Sequence, residues 1–360
     1  MAVYTAIDNP ALFHEAKTYT GNNNTNNITG MSFQPDWVWL KVRSAGSGQN
    51  HTLYDVIRGA TKFLESDTTN AEATGSNYLT AFNSDGFTLG NDQSHVNASG
   101  DTYMSWSWKS GGSASSNSNG GITSSVSAST TAGFSIVSWT GNGSDATVGH
   151  GLSSAPQMYV VKNREDSADW RVGQTVAGNT MTAGNGYYME WNDTKASTNP
   201  GSAVTWGSTP TAPTAAVFTV GSNNAHNGSS DDMIAYCFHS VQGYSKIGQY
   251  VGLNSSNGNF VYLGFRPKTI FLKRVDSAGD WRLYDDQRDG FNIKNDYVEI
   301  NTSDLESDTD SGSQWDILSN GFKFSGATDA EIAGSGTYFY MAFAHSPFVN
   351  SKGVPNNPRG

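Results

Sequence analysis

The stretch TIFLKRVDSAGDWRLY (residues 269–284) repeats one met earlier in the chain, MYVVKNREDSADWRV (residues 158–172). Both spell an apolar run, a lysine, an Asp-Ser-Ala turn, Asp-Trp-Arg and a second apolar run. β-Branched and aromatic residues on either side of a small polar turn are the signature of a hairpin. Asp and Ser side chains hold such a turn by bonding to its backbone. A unit written twice points to architecture, since a centre of chemistry needs to occur only once. In the first third of the chain the same place reads RSAGSGQNHTLYD (residues 43–55), with Leu53 aligned to Trp170 and Trp281. The two tryptophans read as equivalent core aromatics.

Working outward, three segments open in the same way. They are KTYTGNNNTNNITGMSFQPDWVWLK (17–41), SIVSWTGNGSDATVGHGLSSAPQMYVVK (135–162) and SKIGQYVGLNSSNGNFVYLGFRPKTIFLK (245–273). Each runs from an alternating strand ending in an aromatic (Tyr19, Trp139, Tyr250), through a Gly/Asn turn and a proline, to an apolar run closed by lysine. Three segments also close alike, with MSWSW, IAYCF and FYMAF alternating large and small residues as strands in a packed sheet do. The organisation is therefore all-β: three related antiparallel β-sandwich-like repeats with little helix. Residues 1–112 form repeat 1, 113–133 a Ser/Gly-rich spacer, 134–242 repeat 2, 243–348 repeat 3 and 349–360 a C-terminal tail. The spacer is either flexible or laid down as an extended strand. Helical periodicity is confined to short turns near residues 9–15 and 55–64.

Composition agrees with this reading and excludes several functions. The 360 residues hold 40 Gly, 10 Trp and only 15% charged residues, a balance suited to short strands and tight turns. The net charge is −11 with no basic block, which argues against nucleic acid as a partner. No run is long enough for a transmembrane helix, so membrane insertion is not expected, and the N-terminus reads without a signal peptide. The lone Cys237, in MIAYCFHS, can form neither an internal disulfide nor a cysteine zinc site and reads as core filler.

Candidate chemistry is sparse. The acidic segment DLESDTDSGSQWD (304–316) lacks the Gly and Glu positions of an EF-hand loop; a solvated loop is the favoured reading, with an irregular calcium loop as the alternative. Glu190, between Met189 and Trp191, is the carboxylate in the most aromatic setting, but a glycosidase needs a second one across a cleft. His51, His95, His150, His226, His239 and His345 show no zinc-protease spacing, and no nucleophile elbow is present. No catalytic residue, cofactor or metal is expected. Sugar recognition uses exposed aromatics beside Asn, Asp and Ser; Tyr187, Tyr188, Trp191 and Trp206 are the glycan-binding candidates, with core packing as the competing reading.

Taken together, QPDWVWLKVRS, LYDVIRGATK, EATGSNYLTAFNSDGFTLG, NASGDTYMSWSWKSGG, TVGHGLSSAPQMYVVKNR and YFYMAFAHSPFVNSKGVP resemble a family of virion structural, tail-fibre-like proteins of marine and cyanobacterial tailed phages. The similarity runs from about Gln34 to Pro355 and is weakest at residues 179–206. It implies a non-enzymatic virion component made in the host cytoplasm, on a tail fibre or spike that contacts the host surface. Its implied partners are other virion proteins, further copies of itself (as a trimer) and a host surface glycan. Capsid decoration is the alternative, and a glycan-cleaving tailspike is a third reading.

Overall fold

Strands whose large residues alternate can bury both faces, and each repeat uses this twice over. A computed structural model describes residues 4–44, 48–199, 205–288, 292–308, 314–325 and 329–356. In the first repeat the main sheet runs His14–Thr20, Thr102–Trp108, Trp37–Ser44, Thr52–Asp55. The second repeats that order with Phe134–Thr140, Asp232–Phe238, Met158–Asn163 and Arg171–Gln174. In the third the strands are Ser245–Val251, Thr337–Pro347, Phe265–Arg274 and Trp281–Asp285. Among the described residues the pairings between these strands are antiparallel, and a smaller sheet faces each main sheet.

The residues 113–133 are built into the second sheet. Ser115–Asn117 and Ser124–Ser129 extend it beyond Phe134–Thr140, and Val126 is buried. Among the described residues helix is limited to Asn224–Asn227 and a 3-10 turn at Pro10–Leu12. The second expected helical turn is instead a loop held by Asp55, whose Oδ1 accepts the backbone N–H groups of Ile57 and Arg58. Among the described residues no helix is long and apolar enough to cross a membrane.

Period 2 now explains the spelling. In the closing strands Trp106, Trp108, Tyr236, Phe238, Met341 and Phe343 face one core shared by all three repeats. The intervening residues face private cores between the main and small sheets: Cys237 and Ala235 in the second repeat, Tyr340 and Ala342 in the third. All ten tryptophans are buried, none more than 3% exposed. Each large side chain so enclosed contributes about 1.5–3 kcal/mol of transfer free energy, so the repeats are held mainly by what they share.

Hydrogen bonds pass round this shared core in one direction. Trp170 Nε1 donates to the Glu65 carbonyl at 2.7 Å, and Trp281 Nε1 to the Glu190 carbonyl at 2.7 Å. The third member is His51, whose Nε2 lies 3.0 Å from the Glu299 carbonyl. Its Nδ1 accepts from Trp39 Nε1 at 2.8 Å, which places the ring proton on Nε2. The closing lysines follow the same circuit four residues further along each loop. Lys162 Nζ donates to the Thr69 carbonyl, Lys273 to that of Thr194 and Lys41 to that of Ser303. Repeat 2 thus grips repeat 1, repeat 3 grips repeat 2, and repeat 1 grips repeat 3.

This circuit corrects the alignment of Leu53 with the tryptophans. Trp281 pairs across the sheet with Lys273, while Leu53 pairs with Trp39 and so matches Val172 and Leu283. His51 stands in the tryptophan position: its N–H donates to Asp67, as those of Trp170 and Trp281 donate to Asn192 and Asn301.

Candidate functional site

An open aromatic surface has to be built from residues the cores do not absorb, and the sequence candidates fare unevenly on that test. Trp191 is fully buried between Trp39 and Trp170, with ring centroids at 5.3 and 5.8 Å. Trp206 is 1% exposed, packs edge-on against Tyr159 and donates its indole N–H to the Tyr187 carbonyl. Neither can stack on a sugar, which corrects the expectation for both. Both have Gly, Ser and Asn near them in the sequence, yet Trp191 packs into the shared core and Trp206 into that of the second repeat. Tyr187 and Tyr188 are half-buried, and the Arg171 guanidinium lies 4.4 Å from the Tyr188 ring centre.

Glu190 is 1% exposed and ion-paired with Arg171 and with Lys195 Nζ, the latter at 3.0 Å. It clamps a strand end rather than facing a cleft. Cys237 is buried, and burial pushes its thiol far above the usual range. His150 accepts the Leu152 N–H and reaches the Thr214 carbonyl, holding its own turn. The acidic segment 304–316 falls partly on residues 309–313, which lie outside the described residues.

One cluster escaped the sequence because its third member arrives from fifty residues away. Carboxylate oxygens of Asp280, Glu299 and Glu331 lie within 4.8 Å of one another. Arg282 sits among them, 3.1 Å from Glu331 and 2.5 Å from Asp329. Burial, then the Asp280 charge, raise the Glu299 carboxyl to about 7. By donor type the three carboxylates suit a hard cation, but Arg282 already supplies the countercharge.

The open aromatic surface lies elsewhere. Among the described residues the strongly exposed aromatic rings are Tyr4, Phe260 and Tyr262. Tyr4 and Tyr262 line a cleft of about 440 Å³ together with Ser240, Lys246, Leu263 and Phe348, and Phe260 packs edge-on to Tyr262 at 6.5 Å. The cleft forms where the two end segments of the chain meet. The Ala6 N–H donates to the Gln242 carbonyl, the Phe348 N–H to that of Gly264, and the Ser351 N–H to the Asp8 carboxylate at 2.7 Å. Gly243 is needed here: its φ is +80°, and a Cβ would sit 1.9 Å from Thr5 Oγ1.

Lys246 forms one wall. Its Nζ donates to the Tyr262 carbonyl at 2.6 Å and lies 5.5 Å from the Tyr262 ring centre. The side chain is partly enclosed, and that burial alone lowers its pKa.

The signal for this site was present in the repeats. Registers match Phe260 to Asn27 and Thr147, and Tyr262 to Thr29 and Gly149. Val251 likewise replaces Thr20 and Thr140. Only a residue-by-residue alignment of the hairpins exposes it.

A family model described as a domain of unknown function (DUF7483) matches residues 9–347, and the chain belongs to that family. No curated protein matches the chain.

Proposed function

We propose that the chain is a non-enzymatic structural protein of a phage virion, carried on the tail and touching a host-surface glycan through the cleft between Tyr4 and Tyr262. The observation that carries this reading is the distribution of chemistry. The repeated Trp, Lys and Glu positions are consumed in joining the repeats, while two of the three exposed aromatic rings, Tyr4 and Tyr262, line one concave place beside polar groups and Phe260 packs against Tyr262. Clefts of this size accept small ligands, and tyrosine offers a rigid face with a polar tip. Acid–base catalysis needs titratable groups within reach of a substrate, and the cleft presents Lys246 with tyrosines, serines and backbone. The sequence resemblance supplies the particle.

Immunogold labelling of intact virions with antibody against the chain tests this. Gold on the tail or its fibres supports the proposal. Gold over the head favours the decoration reading, and unlabelled particles overturn both. A homotrimer of the chain, implied by the fibre resemblance, would add a true threefold axis to the internal one. Sedimentation velocity reads 38.5 kDa for the chain alone and three times that mass for a trimer.

A further inference from the structure

The three repeats act as controls for one another. Their sheets share one strand order, so a surface residue that the fold demands should recur in kind. At the outer hairpin of the first repeat the outward positions are Thr20, Asn22, Asn27 and Thr29, and in the second they are Thr140, Asn142 and Thr147, the fourth, Gly149, being covered by Asn117. In the third they are Val251, Leu253, Phe260 and Tyr262, each between 47% and 59% exposed. Exposed apolar groups lose hydration free energy, and the first two repeats fold without them. The substitutions in the third therefore serve something beyond the fold; of the four, Tyr262 lines the cleft and Phe260 packs against it.

Charge narrows what that is. The chain carries a net charge of −11, yet the cation at this cleft has no countercharge. Among the described residues no carboxylate lies within ion-pair distance of Lys246. Its one hydrogen bond leaves ammonium protons directed away from the Tyr262 carbonyl. Some partly enclosed cations are matched by carboxylates: Lys268 by Glu15, Arg43 by Glu306, Arg164 by Glu72. Lys17 rests instead on the Thr29 carbonyl, and Lys41, Lys162 and Lys273 on loop carbonyls that join the repeats. Lys246 differs from these in standing beside exposed rings in an open cleft. A half-enclosed ammonium beside exposed ring faces is the complement of a ring-shaped ligand bearing an anion.

We infer that the cleft binds an acidic saccharide, a pyranose residue bearing a carboxylate, whose ring face packs on Tyr262 and Tyr4 and whose carboxylate pairs with Lys246. The inference rests on the glycan-contact reading above and adds the site and the class of sugar. Ser240 and the backbone around Gly264 supply polar groups for the hydroxyls. A neutral sugar would leave Lys246 without an ion partner.

The test is a glycan array of uronate-, sialate- and neutral-terminated oligosaccharides of matched length, probed with the full chain. Retention of acidic members over their neutral counterparts is expected. Lys246→Met should weaken acidic binding about tenfold, the worth of one charge-assisted hydrogen bond, and so narrow the ratio of acidic to neutral retention by that factor. Tyr262→Ala should abolish both, with an unchanged thermal midpoint because the ring is half-exposed. Equal retention of neutral members, indifference to Lys246→Met, or no retention by the wild type overturns the proposal. So does a Tyr262→Ala phage that fails to incorporate the chain into particles, which would make the cleft an assembly contact. Gold on the tail with a blank array removes this site and leaves the virion reading standing, whereas unlabelled particles remove that reading itself.

Discussion

Single residues carry the joins between repeats, and their loss is measurable. Trp281→Phe keeps most of the buried area but leaves the Glu190 carbonyl unpaired. It should cost about 1–3 kcal/mol in urea unfolding. The lysines of the circuit give a pH signature. Burial lowers Lys162 and Lys273 to about 8, while in the unfolded chain each returns to the ordinary lysine value near 10.4. The unfolded state therefore binds more protons between these values, and stability should rise as pH climbs from 8 towards 10. Lys273→Met should flatten that rise in denaturation curves taken across the window. Glu299 has the opposite sign. Its raised pKa gives stability that is present below its unfolded value and lost as pH rises through about 7. Glu299→Gln should accordingly gain most, relative to wild type, above pH 7, which thermal melts at pH 4.5 and 8 would show.

Elements show where the repeats diverged together. Asp55 and Arg58 form a fully buried pair at 2.5 Å, and Tyr236 of the next repeat donates to the same carboxylate. Asp285, Arg288 and Trp106 repeat the arrangement. In the second repeat the matching residues are Gln174 and Ala177, and the residue matching Tyr236 and Trp106 is Met341. Pair and donor have vanished as a set. Asp55→Ala leaves the buried Arg58 charge with only Glu72, at 3.6 Å, and should cost about 3 kcal/mol. Asp55→Gln with Arg58→Ala, which copies the second repeat, should cost less than Asp55→Gln alone in a double-mutant cycle. The strands, their alternation and the threefold repetition were legible, because Lys and Pro recur in fixed order in all three and the Asp-Trp-Arg turn in two of them. His51 was not. Ten residues separate it from Lys41, where eight separate each tryptophan from its lysine, so similarity of type drew the alignment to Leu53. Trp191 and Trp206 misled for a related reason: polar neighbours suggest exposure, but both rings pack into cores. Tyr4 and Phe348 meet only through the fold, and no local pattern joins them.

For the whole molecule, the shared core makes the repeats interdependent. Residues 134–242 expressed alone would expose Trp170, Trp191, Tyr236 and Phe238 to water, and should be insoluble or unfolded by circular dichroism. The intact chain should melt in one calorimetric transition rather than three. The circuit of contacts has a further consequence. Repeat 1 holds repeat 3 as repeat 3 holds repeat 2, and the end segments are tied at Asp8 and Ser351. In such a closed cycle, which repeat is made first is a convention of the gene and not of the structure. Joining the ends by a short linker and reopening the chain between repeats 2 and 3 should give a circular permutant that reaches the same fold.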